Sequence, residues 1–125
     1  MPILSPQTNS EDRLLRWLHP GQFNWEENRP TSAAFKDPEM SVDILSMTTV
    51  SESYERAKKL GKNAVASFSY QQVVELGLEV KHDPIEGNDA HALVVGKKTN
   101  SISKKLASMC QVEVYPPEHI SRQIE

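Results

Sequence analysis

The chain has 125 residues, of which 38% are apolar and 25% charged, with a net charge of −3. That length makes one domain, able to bury roughly two thirds of the surface its unfolded chain exposes. The negative balance excludes a surface built throughout for nucleic acid, and no window holds the roughly eighteen apolar residues a bilayer span needs.

Residues 1–10 carry two prolines among small polar groups and read as a flexible arm. They have no basic region and no long apolar run, so no signal peptide is expected. Ser10-Glu11-Asp12 supplies a cap and two acids ahead of Arg13-Leu-Leu-Arg-Trp-Leu18. This favours a short helix, with a strand as the alternative, because Leu14, Leu15, Trp17 and Leu18 do not settle a period. Residues 19–39 hold Pro20, Gly21, Pro30 and Pro38 and read as a long irregular loop. Its aromatics, Phe23, Trp25 and Phe35, must pack down onto the domain or meet a partner.

Met40 to Ser46 alternates as a strand. Thr49 and Glu52 have capping-box spacing, which predicts a helix to about Leu60 with Gly61 as its stop. Ala64–Phe68 is a second strand, and Ser69 caps a short helix from Tyr70 to Leu76. Leu78–Lys81 is a third strand. Ala90–Val95 is a fourth, apolar on both faces, as in a strand covered on both sides. Asn100 or Ser101 opens a helix through Cys110 with Ile102, Leu106 and Met109 on one stripe. Val112–Tyr115 is a last short strand, and residues 117–125 read as a loose tail. The expectation is therefore a single α+β domain over residues 11–116, with a mixed sheet of about four to five strands and two to four short helices. The single Cys110 excludes an internal disulfide and fits a cytoplasmic, reducing setting.

Three constellations could carry chemistry. His82, Asp83, Asp89 and His91 flank a turn at Glu86-Gly-Asn-Asp89 that folds the third strand back beside the fourth. His82, Asp89 and His91 are thus candidate acid–base groups. No His-x-x-x-His or cysteine spacing supports a metal, and no cofactor motif is present. The competing structural reading is a buried His91 bonded to a backbone carbonyl, with Asp89 holding the turn. Second, Gly96-Lys-Lys-Thr99 lies between a strand and a helix, where backbone amides collect anions. Lys97, Lys98 and Thr99, with Lys104 and Lys105 further on, would form a cationic face for a phosphate, a nucleic-acid backbone or an acidic partner. A phosphate loop is excluded, since His91 stands where its first glycine would be. The competing reading is a solvated lysine face. Third, Arg16, Ser32 or Ser41, and Gln111-Val-Glu113 resemble the order of catalytic parts in ADP-ribosyltransferases. There a glutamate bonds the ribose and stabilises an oxocarbenium-like state. Arg16, His19 and Trp25 also open an arginine- and aromatic-bearing stretch suited to an interface.

Arg16-Trp-Leu-His-Pro20, Thr31-Ser-Ala-Ala-Phe-Lys36, Met40-Ser-Val-Asp43, the Leu78–Pro84 turn, Ala90-His-Ala and Gly96-Lys-Lys-Thr99 together resemble a group of short uncharacterised bacterial proteins. The resemblance spans about Arg13 to Cys110 and implies an accessory subunit in conflict or phage-defence loci. The leading expectation is a small binding component that takes a neighbour-encoded protein or an anionic ligand. Nucleic acid at the lysine face is a further candidate partner; a membrane is not. The rival is an enzyme acting on RNA or a nucleotide, a hydrolase or ADP-ribosyltransferase-like, using His91, His82 and Lys97.

Overall fold

A computed structural model describes residues 12–117. The expected flexible arm and all but the first residue of the expected tail lie outside the described residues. Over these residues the chain builds a small α+β domain around a six-stranded antiparallel sheet, with three helices and a separate two-stranded hairpin among the described residues. The strands are β1 (Arg13–Leu18), β2 (Phe23–Asn24), β3 (Arg29–Pro30), β4 (Glu39–Ile44), β5 (Ala64–Ser69), β6 (Glu79–His82), β7 (His91–Val95) and β8 (Gln111–Val114). The helices are α1 (Val50–Lys59), α2 (Tyr70–Glu75) and α3 (Asn100–Met109). The sheet runs β6-β7-β4-β1-β5-β8, and β2 pairs with β3 in the hairpin. The α+β class holds, but the sheet is antiparallel rather than mixed and has one strand more than expected. Every neighbouring pair is antiparallel, although only β1–β4 and β6–β7 are joined directly; the β4–β5 connection through α1 passes over β1, and β5–β6 and β7–β8 also join strands that are not neighbours.

Residues 13–18 are a strand, and the preference for a short helix there is corrected. β1 lies near the middle of the sheet with helical layers on both faces. Leu14 and Leu18 enter the main core with Phe35, Phe68, Val73 and Leu106. Leu15 and Trp17 face the other side, where the Trp17 indole donates to Ser53 of α1 at 2.7 Å. With both faces covered, polar–apolar alternation disappears from such a strand. Asp12, one of the two acids that suggested a helix start, does other work: its carboxylate accepts from the Ser46 backbone N–H and hydroxyl. At α1 and α2 local chemistry sets the helix starts as expected, and at α3 Thr99, read in the sequence as part of an anion-binding face, is the cap. Thr49, Ser69 and Thr99 accept from Glu52, Gln72 and Ile102 N–H groups at the starts of α1, α2 and α3.

The 19–39 segment packs onto the domain. It contains the β2–β3 hairpin and a 3-10 turn at Ser32–Phe35, and it buries Phe23 and Phe35 in the core. Trp25 packs edge-on to Phe23, their ring centroids 4.9 Å apart. The turn and α3 cover one sheet face, where Ser103 donates to the Phe35 carbonyl at 3.1 Å. β7 is covered on one face only: Ala92 and Val94 are fully buried, whereas His91, Leu93 and Val95 remain half-buried.

The sheet is weakest between β1 and β4. Six residue pairs join β1 to β5, but only Leu14↔Ile44 and Leu15↔Asp43 join it to β4. Arg16 fills the gap beyond. Its Nε donates to the Ala34 carbonyl and its Nη1 to the Ser41 carbonyl, each at 3.0 Å. No described helix is long and apolar enough to cross a membrane.

Candidate functional site

The histidine constellation does not converge. His82 pairs with Ala92 across the β6–β7 ladder, which puts His82 and His91 on opposite faces of the sheet. The His82 ring donates through Nε2 to the Asp89 carbonyl at 2.8 Å. The His91 ring donates through Nδ1 to the Asp83 carbonyl at 2.8 Å, with the Asp83 carboxylate 3.3 Å from the same nitrogen. Both rings therefore clamp the hairpin connection. Asp89 is exposed, and the turn is held by Asn88, whose backbone pairs with Ile85 and whose amide donates to Asp43 at 2.7 Å. Among the described residues no three histidine, cysteine or carboxylate side chains gather as a metal site requires.

The lysine face also divides. Lys97 is exposed, but Lys98 is buried at 8% exposure, against the expectation of two solvated lysines. Its ammonium donates to the Val94, Gly96 and Pro38 carbonyls at 2.8, 2.9 and 3.3 Å. Burial pulls its pKa down to about 8. Lys98 therefore ties the end of β7 to the chain entering β4 and is not available to a partner. The Thr99 hydroxyl is committed to capping α3. Gly96 serves packing: its φ is +138°, and a Cβ there would stand 2.8 Å from Leu78 Cδ2. Lys104 and Lys105 do reach solvent. With Arg29, Ser101 and Ser108 they border a groove of about 610 Å³ between the hairpin and α3.

A larger cleft, about 770 Å³, gathers residues that sequence reading left dispersed. Arg16, Trp17 and His19 come from β1 and its exit, Arg56, Lys59 and Lys62 from α1 and the turn after it, and Asp43, Asn88 and His91 from β4 and the β6–β7 connection. Its floor is a polar network centred on Asp43, only 1% exposed. Asp43 accepts from the Ser53 hydroxyl at 2.7 Å, the Asn88 amide at 2.7 Å and the Arg56 guanidinium at 2.9 Å. Ser53 in turn accepts from Trp17. The buried carboxylate is thus fully engaged, as a buried charge must be.

The rim is basic. Lys62 Nζ lies 2.7 Å from His19 Nε2, so the ammonium donates to a neutral imidazole. Desolvation and then the positive charges of Lys62 and Arg16 hold the His19 pKa below its usual value. Desolvation and then Arg16 do the same to Lys62. Burial lowers Arg16 against the pull of Asp37. None of Arg16, Lys59 and Lys62 forms an ion pair among the described residues. Arg16 and His19 were legible as candidates; Lys62, Lys59 and Arg56 were missed because they lie some forty residues on and no local motif joins them.

Arg16, Ser32 and Ser41 do not meet Glu113. Arg16 does touch the Ser41 backbone, but Ser32 sits in the 3-10 turn and Ser41 is exposed on β4. Glu113 instead meets Ser67 and, through it, Arg13. Cys110 is half-buried, and desolvation raises its thiol to about 11, so it is protonated and unreactive at neutral pH. Compared with protein-family models, curated proteins and solved structures, the chain matches none.

Proposed function

We propose that the protein is a small binding component whose basic cleft takes an anionic ligand of phosphate type, free or carried on a partner protein. One observation supports this most: His19, Lys62 and Arg16 crowd together without a carboxylate to pair Lys62, and the pKa values of His19 and Lys62 are lowered by burial first and then by their cationic neighbours, while burial lowers Arg16 against the pull of Asp37. A bound anion relieves such repulsion, so part of its affinity comes from a strain already present in the free protein. Trp17 and the exposed Leu60 and Ile85 add apolar wall to the same cleft, as ligand pockets require. An accessory role in a bacterial conflict or defence locus is the setting this reading fits.

The test is calorimetric titration with pyrophosphate at low salt, comparing wild type with Lys62→Gln. Binding should weaken at least about fivefold in the variant, and it should also weaken with added salt. Equal affinity in the two proteins would dismiss the cleft. A second reading, an enzyme acting on a nucleotide, has lost His82, His91 and Lys97 as a joint site.

A further inference from the structure

The cleft above Asp43 has two walls of different chemistry. Asp43 is bonded from both: Ser53 and Arg56 of α1 reach it from one side, Asn88 of the β6–β7 connection from the other. Leu60, at the end of α1, and Ile85, in the connection, therefore belong to opposite walls of the cleft they both line. They are 66% and 48% exposed, the two most exposed large apolar side chains among the described residues. Apolar side chains scattered singly over a surface are ordinary. Two that border one cleft of about 770 Å³ are not, and a flat apolar group lying between them would take both out of water.

Charge divides between the same two walls. Arg16, His19, Lys59 and Lys62 belong to the side of β1 and α1. Glu86, next to Ile85, belongs to the connection. It is exposed and has no hydrogen bond or ion pair among the described residues. The other carboxylates at the cleft are occupied. Asp43 is engaged on the floor, and Asp37 accepts from the Glu39 N–H and sits in the field of Arg16. β4 lies between β1, which carries Arg16, and β7, which the connection enters, so the two ends stand about 10 Å apart, two strand spacings.

The complementary ligand has an anion at one end, a flat ring between the walls, and N–H groups at the other end for a carboxylate. A sugar phosphate lacks the ring. A lipid phosphate lacks the terminal donors and would set hydrocarbon against Glu86, at the cost of desolvating its charge. A nucleoside 5′-phosphate has all three parts and spans the distance. An ionised carboxylate only accepts hydrogen bonds, so it selects the base that presents two adjacent donors. Guanine does so, with N1–H beside its 2-amino group. Adenine and cytosine place a ring lone pair beside the amino group, and uracil flanks its N–H with two carbonyls; each sets an acceptor against Glu86.

We infer that the cleft takes a guanosine 5′-phosphate and that Glu86 is the residue that reads the base; the assignment rests on the anion-binding role proposed above. Arg16 and Lys62 hold the phosphates, Leu60 and Ile85 enclose the ring, and the Glu86 carboxylate accepts from N1–H and the 2-amino group. His91 stands beside Asp43 in the β4–β7 ladder and also lines the cleft. Its Nδ1 donates to the Asp83 carbonyl, which leaves Nε2 as an acceptor for a ribose hydroxyl.

The experiment is calorimetric titration of the full chain with GDP, ADP, UDP and pyrophosphate at one low salt concentration. GDP should bind at least about tenfold more tightly than each of the other three. Exposed substitutions, which leave the fold intact, separate the parts. Glu86→Gln should weaken GDP about tenfold and abolish most of its lead over ADP, with pyrophosphate affinity unchanged. Leu60→Ser and Ile85→Ser should each weaken GDP at least about threefold and leave pyrophosphate as it was. Lys62→Gln should weaken both ligands. GDP no tighter than pyrophosphate, ADP as tight as GDP, or a Glu86→Gln variant that keeps the full preference for GDP overturns the guanine site. Pyrophosphate bound in any of those cases leaves the anion cleft standing by itself. No binding of any of the four ligands removes the cleft and the guanine site together.

Discussion

Lys62 and Lys98 make a useful pair. Lys62 comes one residue after Gly61, at φ +79°, and Lys98 two residues after Gly96, at φ +138°, each at a junction between helix and strand. In sequence Lys98, beside Lys97 and ahead of Lys104 and Lys105, looks like the lysine that meets a partner, and Lys62 looks unremarkable. The structure reverses this. Lys98 spends its three N–H groups on three main-chain carbonyls. Lys62 donates to one imidazole and faces a cleft shared with Arg16. A lysine's availability is set by how many backbone acceptors the surrounding turn leaves unsatisfied, which a charge run does not reveal.

The largest expected effect tests the floor that keeps the Lys62 cleft in shape. Asp43→Ala strands the Arg56 charge and unties Ser53 and Asn88, and should cost about 3–5 kcal/mol in denaturant melts. A cost within the noise of a surface change would show that the floor is not what holds β4, α1 and the turn together. Lys98→Met comes next. It strips three carbonyls of their donor and should cost about 2 kcal/mol, while pyrophosphate binding stays unchanged.

The same pair predicts a pH signature. The native pKa of Lys98 is about 8, against an ordinary 10.5. Between those values the unfolded chain binds more protons than the native one, so stability from this residue rises with pH across the window. The stability gap between wild type and Lys98→Met should therefore widen from pH 8 to 10.5; a constant gap would mean that the amine is not desolvated. Lys62→Gln should sit at the small end for stability, within about 0.5 kcal/mol, with its effect confined to anion affinity. The His19 ring, held neutral by desolvation and its cationic neighbours, should gain a proton only below the ordinary imidazole range, so sulfate, whose own charge does not change over this range, should bind more tightly as pH is lowered. Weaker binding at the lower pH would remove His19 from the cleft's chemistry.

Much of the fold was legible where local chemistry decides it. Thr49 with Glu52, and Ser69, mark helix starts by hydrogen bonds that span three residues, so sequence spacing shows them directly. β1 was not legible, because Leu14 and Leu15 are both fully buried beneath different layers and the period that separates helix from strand vanishes. The sites were harder still. Asp43 gathers Ser53, Arg56 and Asn88 from 10, 13 and 45 residues away. Glu113 finds Ser67 across 46 and Ser67 finds Arg13 across 54. Gln111-Val-Glu113 was noticed, but Ser67 and Arg13, which it meets through hydrogen bonds, were not, since only strand order tells which residues lie beside β8.

The thin join between β1 and β4 gives the sheet a mechanical character of its own. It is two leaves, β6-β7-β4 and β1-β5-β8, riveted by two residue pairs and one guanidinium. Backbone ladders elsewhere resist shear as continuous zippers, whereas this seam depends on Arg16 staying seated. Amide exchange along the seam should then report the occupancy of the cleft beside it, making one side chain both hinge pin and gauge.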